Sequence, residues 1–223
     1  MRKKKHGEQR LAACSKIALE FDREKGLIGA ESFLNGKTVY LEIGCGKGDF
    51  VCGMAQRYPE TAFIAVERVS DVMVTAMEKA MSAGIENIRF VIADAAALCD
   101  ALGENSIDRL YLNFSDPWPK KGYAKRRLTH RKYLEKYKRI LKDGTGVYLK
   151  TDNRQLFDFS LEEFQASGYR VEAVTGDLHN SEYAKDNIMT EYEKNFTEKG
   201  IPINRCEAYV NKAADQIDRM NNK

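Results

Sequence analysis

Apolar residues fall along the chain in short runs of strand length, and the stretches between them carry helical periodicity. Residues 39–43 (VYLEI) read as a strand that ends in a glycine-rich turn, and 50–58 read as helical. Residues 62–67 (AFIAVE) make the next strand. In 70–83 the apolar positions 73, 74, 77 and 81 share one helical face. Strand-like runs follow at 88–94, 107–114, 146–152 and 169–175, with helix candidates at 129–142 and 154–167. Strands alternating with helices predict an α/β fold with a mainly parallel sheet covered on both faces by helices. Ligands of such sheets bind at the carboxyl ends of the strands. No internal repeat, low-complexity segment or Pro/Ser-rich linker interrupts the pattern. It divides into a basic N-terminal arm (1–30), one domain (31–210) and a polar C-terminal tail (211–223).

The chain has 223 residues, 43% of them hydrophobic and 31% charged, a globular mix for one domain with appendages. At this size folding buries roughly 70% of the unfolded surface, so no disulfide or metal staple is needed. No apolar run approaches the ~20 residues of a membrane span. The basic residues 1–6 are followed by no apolar run, so no secretory signal is expected. The five cysteines are odd in number and show no C-x-x-C spacing. A disulfide framework or a zinc site is therefore not expected, and a reducing cytoplasm fits best.

A net charge of +3 argues, taken whole, against a nucleic-acid partner. Its distribution changes that picture. Residues 119–142 hold eleven Lys/Arg against the single acid Glu135, or +10, and residues 1–10 add +4. Subtracting both from +3 leaves −11 for the rest. A charge run is often only a solvated face. This one is one-signed and has Trp118, Tyr123, Tyr133 and Tyr137 in or beside it. Lys and Arg neutralise phosphates, and aromatic faces stack on unpaired bases, so contact with nucleic acid is expected.

Candidate chemistry sits where strands end. Glu42-Ile-Gly44-Cys-Gly46-Lys-Gly48 follows the first strand. Its glycines allow positive φ and close approach of a ligand; a mere tight strand–helix connection is the other reading. A nicotinamide fingerprint wants G-x-G-x-x-G, and position 49 is Asp. The spacing G-x-G-x-G, with an acid two residues earlier, resembles motif I of class I S-adenosylmethionine-dependent methyltransferases. Glu67, Asp94 and Asp116 then fall at or just past later strand ends. One such acid often only starts a turn or caps a helix; four in register suit a cationic cofactor. Asp116-Pro-Trp-Pro119-Lys-Lys is the most distinctive stretch: two prolines fix the backbone around Trp118, unless the loop is simply rigid. It differs from the Asn/Asp-Pro-Pro-Tyr/Phe of amino-group methyltransferases.

With that segment the sequence resembles the bacterial tRNA (guanine-N7-)-methyltransferases, from about Thr38 to Tyr209. The shared stretches are VYLEIGCGKGDF, YLNFSDPWPKK, KRRLTH, LKTDNR, DLHN and NIMTEYE-KNF-KG-PI. The resemblance implies a Rossmann-like fold with a seven-stranded sheet. It implies transfer of a methyl group from S-adenosylmethionine to N7 of the variable-loop guanosine at tRNA position 46, in the cytoplasm, without a metal. Glu42, Glu67, Asp94 and Asp116 would bind the cofactor with Gly44 and Gly46. Lys120, Asp152 and Thr190, Glu191, Tyr192 and Glu193 would hold substrate, and the segment from Gly122 through Lys125, Arg126 and Arg127 would touch RNA. Two simpler readings stand beside these roles. Thr190-Glu-Tyr-Glu193 is also a capping box opening a helix that stops before Gly200. Asp152 in Lys-Thr-Asp-Asn also suits a turn.

Guanine N7 carries an in-plane lone pair and no proton, so no general base and no covalent intermediate is required. That agrees with histidines lacking metal spacing and with the lack of a Pro-Cys nucleophile. Asp116 is the expected catalytic residue, acting by charge and position. The partner expected is tRNA, with no membrane and no obligatory protein, the chain acting as monomer or homodimer. A methyltransferase for another target, a non-catalytic RNA-binding module and a nicotinamide oxidoreductase are the rival readings. The basic run argues against a small-molecule target and Asp116-Pro-Trp-Pro119 against an amine, the full set of acids against the binding module, and the missing third glycine against the oxidoreductase.

Overall fold

The structure, a computed structural model, describes residues 7–212. Residues 1–6 and 213–223 lie outside them, and with them four of the expected arm's eight Lys/Arg and nearly all of the tail. The chain forms two compact units. The first runs to Leu102 and takes in Ile188–Glu191; the second comprises Gly103–Asn187 and the chain from Tyr192 onward. Seven strands make a mainly parallel sheet, three from the first unit and four from the second.

In the first unit, α1 (Gly7–Ala13) leads through a 3-10 turn into a small hairpin of β1 (Glu20–Asp22) and β2 (Gly26–Ile28). Residues 7–30, expected as an arm, are therefore folded onto the domain. α1 packs on a later helix, where Arg10 donates to both carboxylate oxygens of Glu78 at 2.7 and 2.6 Å. Leu19 donates its N–H to the Phe90 carbonyl. Charge alone hid this, because the buried anchors Cys14 and Ile17 are isolated single positions.

A short helix α2 (Glu31–Leu34) precedes the parallel core: β3 (Val39–Ile43), α3 (Asp49–Arg57), β4 (Ala62–Glu67), α4 (Ser70–Ser82) and β5 (Ile88–Ile92). β4 lies between β3 and β5, parallel to both. Every residue of Ala62–Val66 is buried, as a strand covered on both faces requires. Met73, Val74 and Met77 of α4 are buried as the periodicity predicts, but Met81 is 42% exposed and Ala80 takes its place. β5 ends at Ile92, not at 94. Asp94 turns extended and caps α5 (Ala95–Ala101), a helix whose alanine-rich sequence carried no apolar stripe.

In the second unit, β6 (Ile107–Asn113), α6 (Arg131–Ile140) and β7 (Leu141–Thr151) form a parallel crossover. β7 begins five residues before the expected 146, because Leu141 turns extended directly at the end of α6 and a bulge follows. α7 (Arg154–Ala166), β8 (Arg170–Thr175), α8 (Glu191–Thr197) and β9 (Asn204–Tyr209) complete the unit. β9 runs antiparallel between β7 and β8. Its buried face is Asn204, Cys206 and Ala208, too small and polar to mark a strand by hydropathy.

Candidate functional site

The first unit brings together Glu42, the glycine-rich loop, Glu67 and Asp94 at the carboxyl ends of β3, β4 and β5. Gly44 and Cys45 both donate N–H groups to the Val66 carbonyl, at 2.8 and 3.0 Å, so the loop bends over β4. Gly44, Gly46 and Gly48 all take positive φ, at +81°, +56° and +82°. A Cβ at Gly48 would lie 2.7 Å from the Ala76 Cβ, so this glycine lets α3 close on α4. A Cβ at Gly44 or Gly46 would meet nothing within 4 Å. The loop is thus tight toward the protein and open on its other side.

The carboxylates of Glu67 and Asp94 are held by backbone. Glu67 Oε1 accepts from the N–H groups of Arg68 and Val69 at 2.8 and 3.0 Å, and Oε2 from Gly46 at 3.4 Å. Asp94 Oδ1 accepts from Ala96 and Ala97 at 3.0 and 3.3 Å, an N-cap worth about 1 kcal/mol. The helix-cap reading of this acid is therefore correct in part, and its carboxylate stays exposed. Glu42 is 3% exposed. Burial, and then the Glu42 and Glu67 carboxylates, push the Cys45 thiol well above its ordinary range, so Cys45 stays a thiol. All five cysteines are buried and none forms a disulfide.

These residues fit S-adenosylmethionine. The open side of Gly44 and Gly46 gives room, the acids suit a cationic ligand, and a carboxylate at Glu67 accepts hydroxyls.

The second unit carries Asp116. Phe114, just past β6, donates its N–H to the Lys150 carbonyl at 2.9 Å and stacks on Phe196 of α8 with ring centroids 6.0 Å apart. Phe114 and Trp118 take φ of +53° and +41°. Positive φ in such bulky residues costs on the order of 1–3 kcal/mol each and persists only where the surroundings impose it. Asp116 lies between them, exposed. Arg127 donates from Nε to the Pro117 carbonyl at 2.9 Å and from Nη2 to the Trp118 carbonyl at 3.2 Å. Arg126 lies 4.8 Å from the ring centroids of both Trp118 and Tyr123. Among the described residues, Lys120, Lys121, Lys125 and Arg126 are exposed and pair with no carboxylate. Other cations of the +10 run are spent inside the unit. Arg131 donates to Glu163, and Lys142 Nζ lies 2.8 Å from Asp108.

A family model described as "Putative methyltransferase" matches residues 36–206. The tRNA (guanine-N(7)-)-methyltransferase of Halalkalibacterium halodurans is 46% identical over 170 residues, 76% of this chain and 77% of that one. The enzyme of the same name from Lachnoclostridium phytofermentans is 46% identical over 182 residues, 82% of this chain and 85% of that one. The chain belongs to the tRNA (guanine-N(7)-)-methyltransferase family. Solved structures agree on the fold. An antibiotic-related methyltransferase superposes with a TM-score of 0.63 at 18% identity, covering 86% of this chain and 96% of that one. A 16S rRNA methyltransferase superposes with a TM-score of 0.65 at 13% identity, covering 86% and 95%. The Rossmann-like class I fold expected from the sequence is the fold observed.

Within this tRNA (guanine-N(7)-)-methyltransferase family member, the Thr190–Glu193 stretch divides. Thr190 and Glu191 belong to the first unit, where Lys47 Nζ lies 2.8 Å from Glu191 Oε1, tying the start of α8 to the glycine-rich loop. Ile188 fills the space beside Gly53 of α3, where a Cβ would lie 2.8 Å from its Cγ2. Tyr192 is 61% exposed. Glu193 is fully buried and accepts from Lys150 Nζ at 2.7 Å and from the Asn187 amide; His179 Nε2 lies 3.1 Å away. Asp152, just past β7, is half-buried, and burial raises its carboxyl above the usual range. Lys47, Lys150, Asn187, His179 and Ile188 were not singled out from sequence. Their one available signal was their place inside shared motifs.

Proposed function

We propose that this chain transfers the methyl group of S-adenosylmethionine to N7 of a guanosine in tRNA, the variable-loop guanosine at position 46. The observation that carries the reading is the open glycine-rich loop flanked by Glu42 and Glu67, in a chain of this family. When bound, the cofactor supplies a methyl group on positively charged sulfur, which an in-plane lone pair accepts without loss of a proton. Glu42, Gly44, Gly46, Glu67 and Asp94 would hold it, and the family resemblance assigns Asp116 to the cofactor as well. Glu67 would exchange part of its hold on the loop for ribose hydroxyls, and Asp94 would keep its cap while its exposed oxygen accepts from adenine.

Asp116 is assigned to orient the guanine and to stabilise the positive charge that the ring gains. Lys120, Lys125 and Arg126 are assigned to the RNA backbone. Asp152 and the residues around Thr190 are assigned to the target nucleoside. No helix of the described residues is long and apolar enough to cross a membrane, and the reading places the work in the cytoplasm. The test is to incubate the protein with bulk tRNA and methyl-labelled S-adenosylmethionine and map the label. Label on N7 of the variable-loop guanosine is expected; label on another atom, or none, overturns the reading.

A further inference from the structure

We propose that Arg127 is a positioning residue for Asp116: its guanidinium holds the backbone of Pro117 and Trp118, and does not serve as a phosphate contact. The inference rests on the assignment of Asp116 made above. It starts from what the Asp-Pro-Trp-Pro stretch lacks. Pro117 and Pro119 have no N–H, so this segment cannot be held by ordinary ladder bonds. Trp118 stands at φ +41° and directly before a proline, a position that otherwise favours extended backbone. Two successive carbonyls, of Pro117 and Trp118, therefore need donors placed side by side.

Arg127 supplies them. Its Nε and Nη2 reach the two carbonyls at 2.9 and 3.2 Å, a pairing of two parallel N–H groups that a planar guanidinium makes and an ammonium does not. The donor is itself fixed at both ends. Its own N–H binds the Ala124 carbonyl at 3.1 Å, and its carbonyl accepts from His130 at 3.0 Å, at the cap of α6. Its guanidinium lies 4.3 Å from the centroid of Phe159 on α7, and His130 stacks on that same ring. Arg127 is half-buried where Lys125 and Arg126 are exposed. The last cation of Lys125-Arg-Arg127 thus faces inward, and Asp116 is the residue directly before the braced pair.

The test uses Arg127→Lys, which keeps the charge and loses the fork, beside Arg127→Ala and Lys125→Ala. Trp118 is the single tryptophan of the chain, so its fluorescence reports on the loop without any assay of activity. In Arg127→Lys, acrylamide quenching of Trp118 in the free protein is expected to rise. Turnover at saturating tRNA is expected to fall by about tenfold or more, as misplaced catalytic groups do. The tRNA dissociation constant and its salt slope are expected to stay near wild type, while Lys125→Ala changes both. Wild-type quenching and turnover in Arg127→Lys, with weakened tRNA binding and a shallower salt slope in Arg127→Ala, would mark a phosphate contact and overturn the proposal. If Arg127→Lys does not fold, Phe159→Leu removes the ring under the guanidinium, and unchanged Trp118 quenching there overturns it equally. If the wild-type protein methylates no guanine N7, the functional reading fails, and the Trp118 measurement alone decides on the brace.

Discussion

Lys150 Nζ and Glu193 Oε2 lie 2.7 Å apart, with the lysine side chain 9% exposed and the glutamate wholly buried. Lys150 stands near the end of β7, and its carbonyl also receives the Phe114 N–H. One residue thus joins the loop that carries Asp116 to α8. Removing one partner of a buried ion pair strands the other charge. Lys150→Met is therefore expected to lose about 3–5 kcal/mol of stability, and Lys150→Met with Glu193→Met to recover most of it. Urea unfolding of the wild type and the two variants measures this; a double variant no more stable than Lys150→Met would show that a stranded Glu193 charge is not what the single variant loses.

Asp116 makes no contribution of that kind, because it is exposed. Asp116→Ala is expected to lower methyl transfer by about 100-fold or more while leaving the melting temperature unchanged, since a preorganised charge acts on the developing one. Label transfer and a thermal melt on the same preparation check it. Near-normal transfer would remove Asp116 from the catalytic role.

Lys125 and Arg126 should govern the grip on RNA. The double variant Lys125→Ala, Arg126→Ala is expected to weaken tRNA binding and to flatten its salt dependence. The log–log slope should shrink by roughly 0.7–0.9 for each phosphate that is no longer neutralised. Affinity for S-adenosylmethionine should not move. A titration series between low and physiological salt, with the cofactor titrated in parallel, separates this from misfolding, which would weaken both.

Asp152 should make stability fall as pH rises. Its folded-state pKa is raised by burial, against a backbone hydrogen bond that lowers it. Across the window from the unfolded value up to the raised folded value, the native state binds more protons, so stability declines as the pH climbs through it. Above that window the loss is complete. Asp152→Asn is expected to be more stable than the wild type at neutral pH and to lose that advantage below the unfolded carboxylate pKa. Melting temperatures across the acid range test it; a variant less stable at neutral pH would mean that the charge is held by favourable contacts.

Gly48 combines two constraints, a φ of +82° and no room for a Cβ beside Ala76. Gly48→Ala is expected to cost on the order of 1–3 kcal/mol. Denaturant midpoints measure it, and an unchanged midpoint would show that α3 and α4 can separate freely.

The strands and helices of the parallel core were legible because β3, β4 and β5 are continuous apolar runs and α4 carries its stripe at helical spacing. β9 was not, because a strand that buries Asn204, Cys206 and Ala208 shows no hydrophobic alternation. α5 was hidden in alanine. At the candidate site, residue type named the strand-end acids, yet could not say what each cation faces. Arg127, Arg131 and Lys125 read alike in a basic run. The first braces two carbonyls, the second pairs with Glu163, and the third stays exposed. That distinction arises only from packing, which places Phe159 and Glu163 of α7 under the run.

The contact between Lys47 and Glu191 spans 144 residues of chain. A ribosome adding about 5–20 residues per second needs on the order of ten seconds to make that stretch. During that time the strands and helices around the glycine-rich loop are already synthesised, but Ile188 has not arrived to cover Gly53. The first unit is therefore begun early and closed late, so a nascent chain halted before residue 188 would keep that side of α3 uncovered.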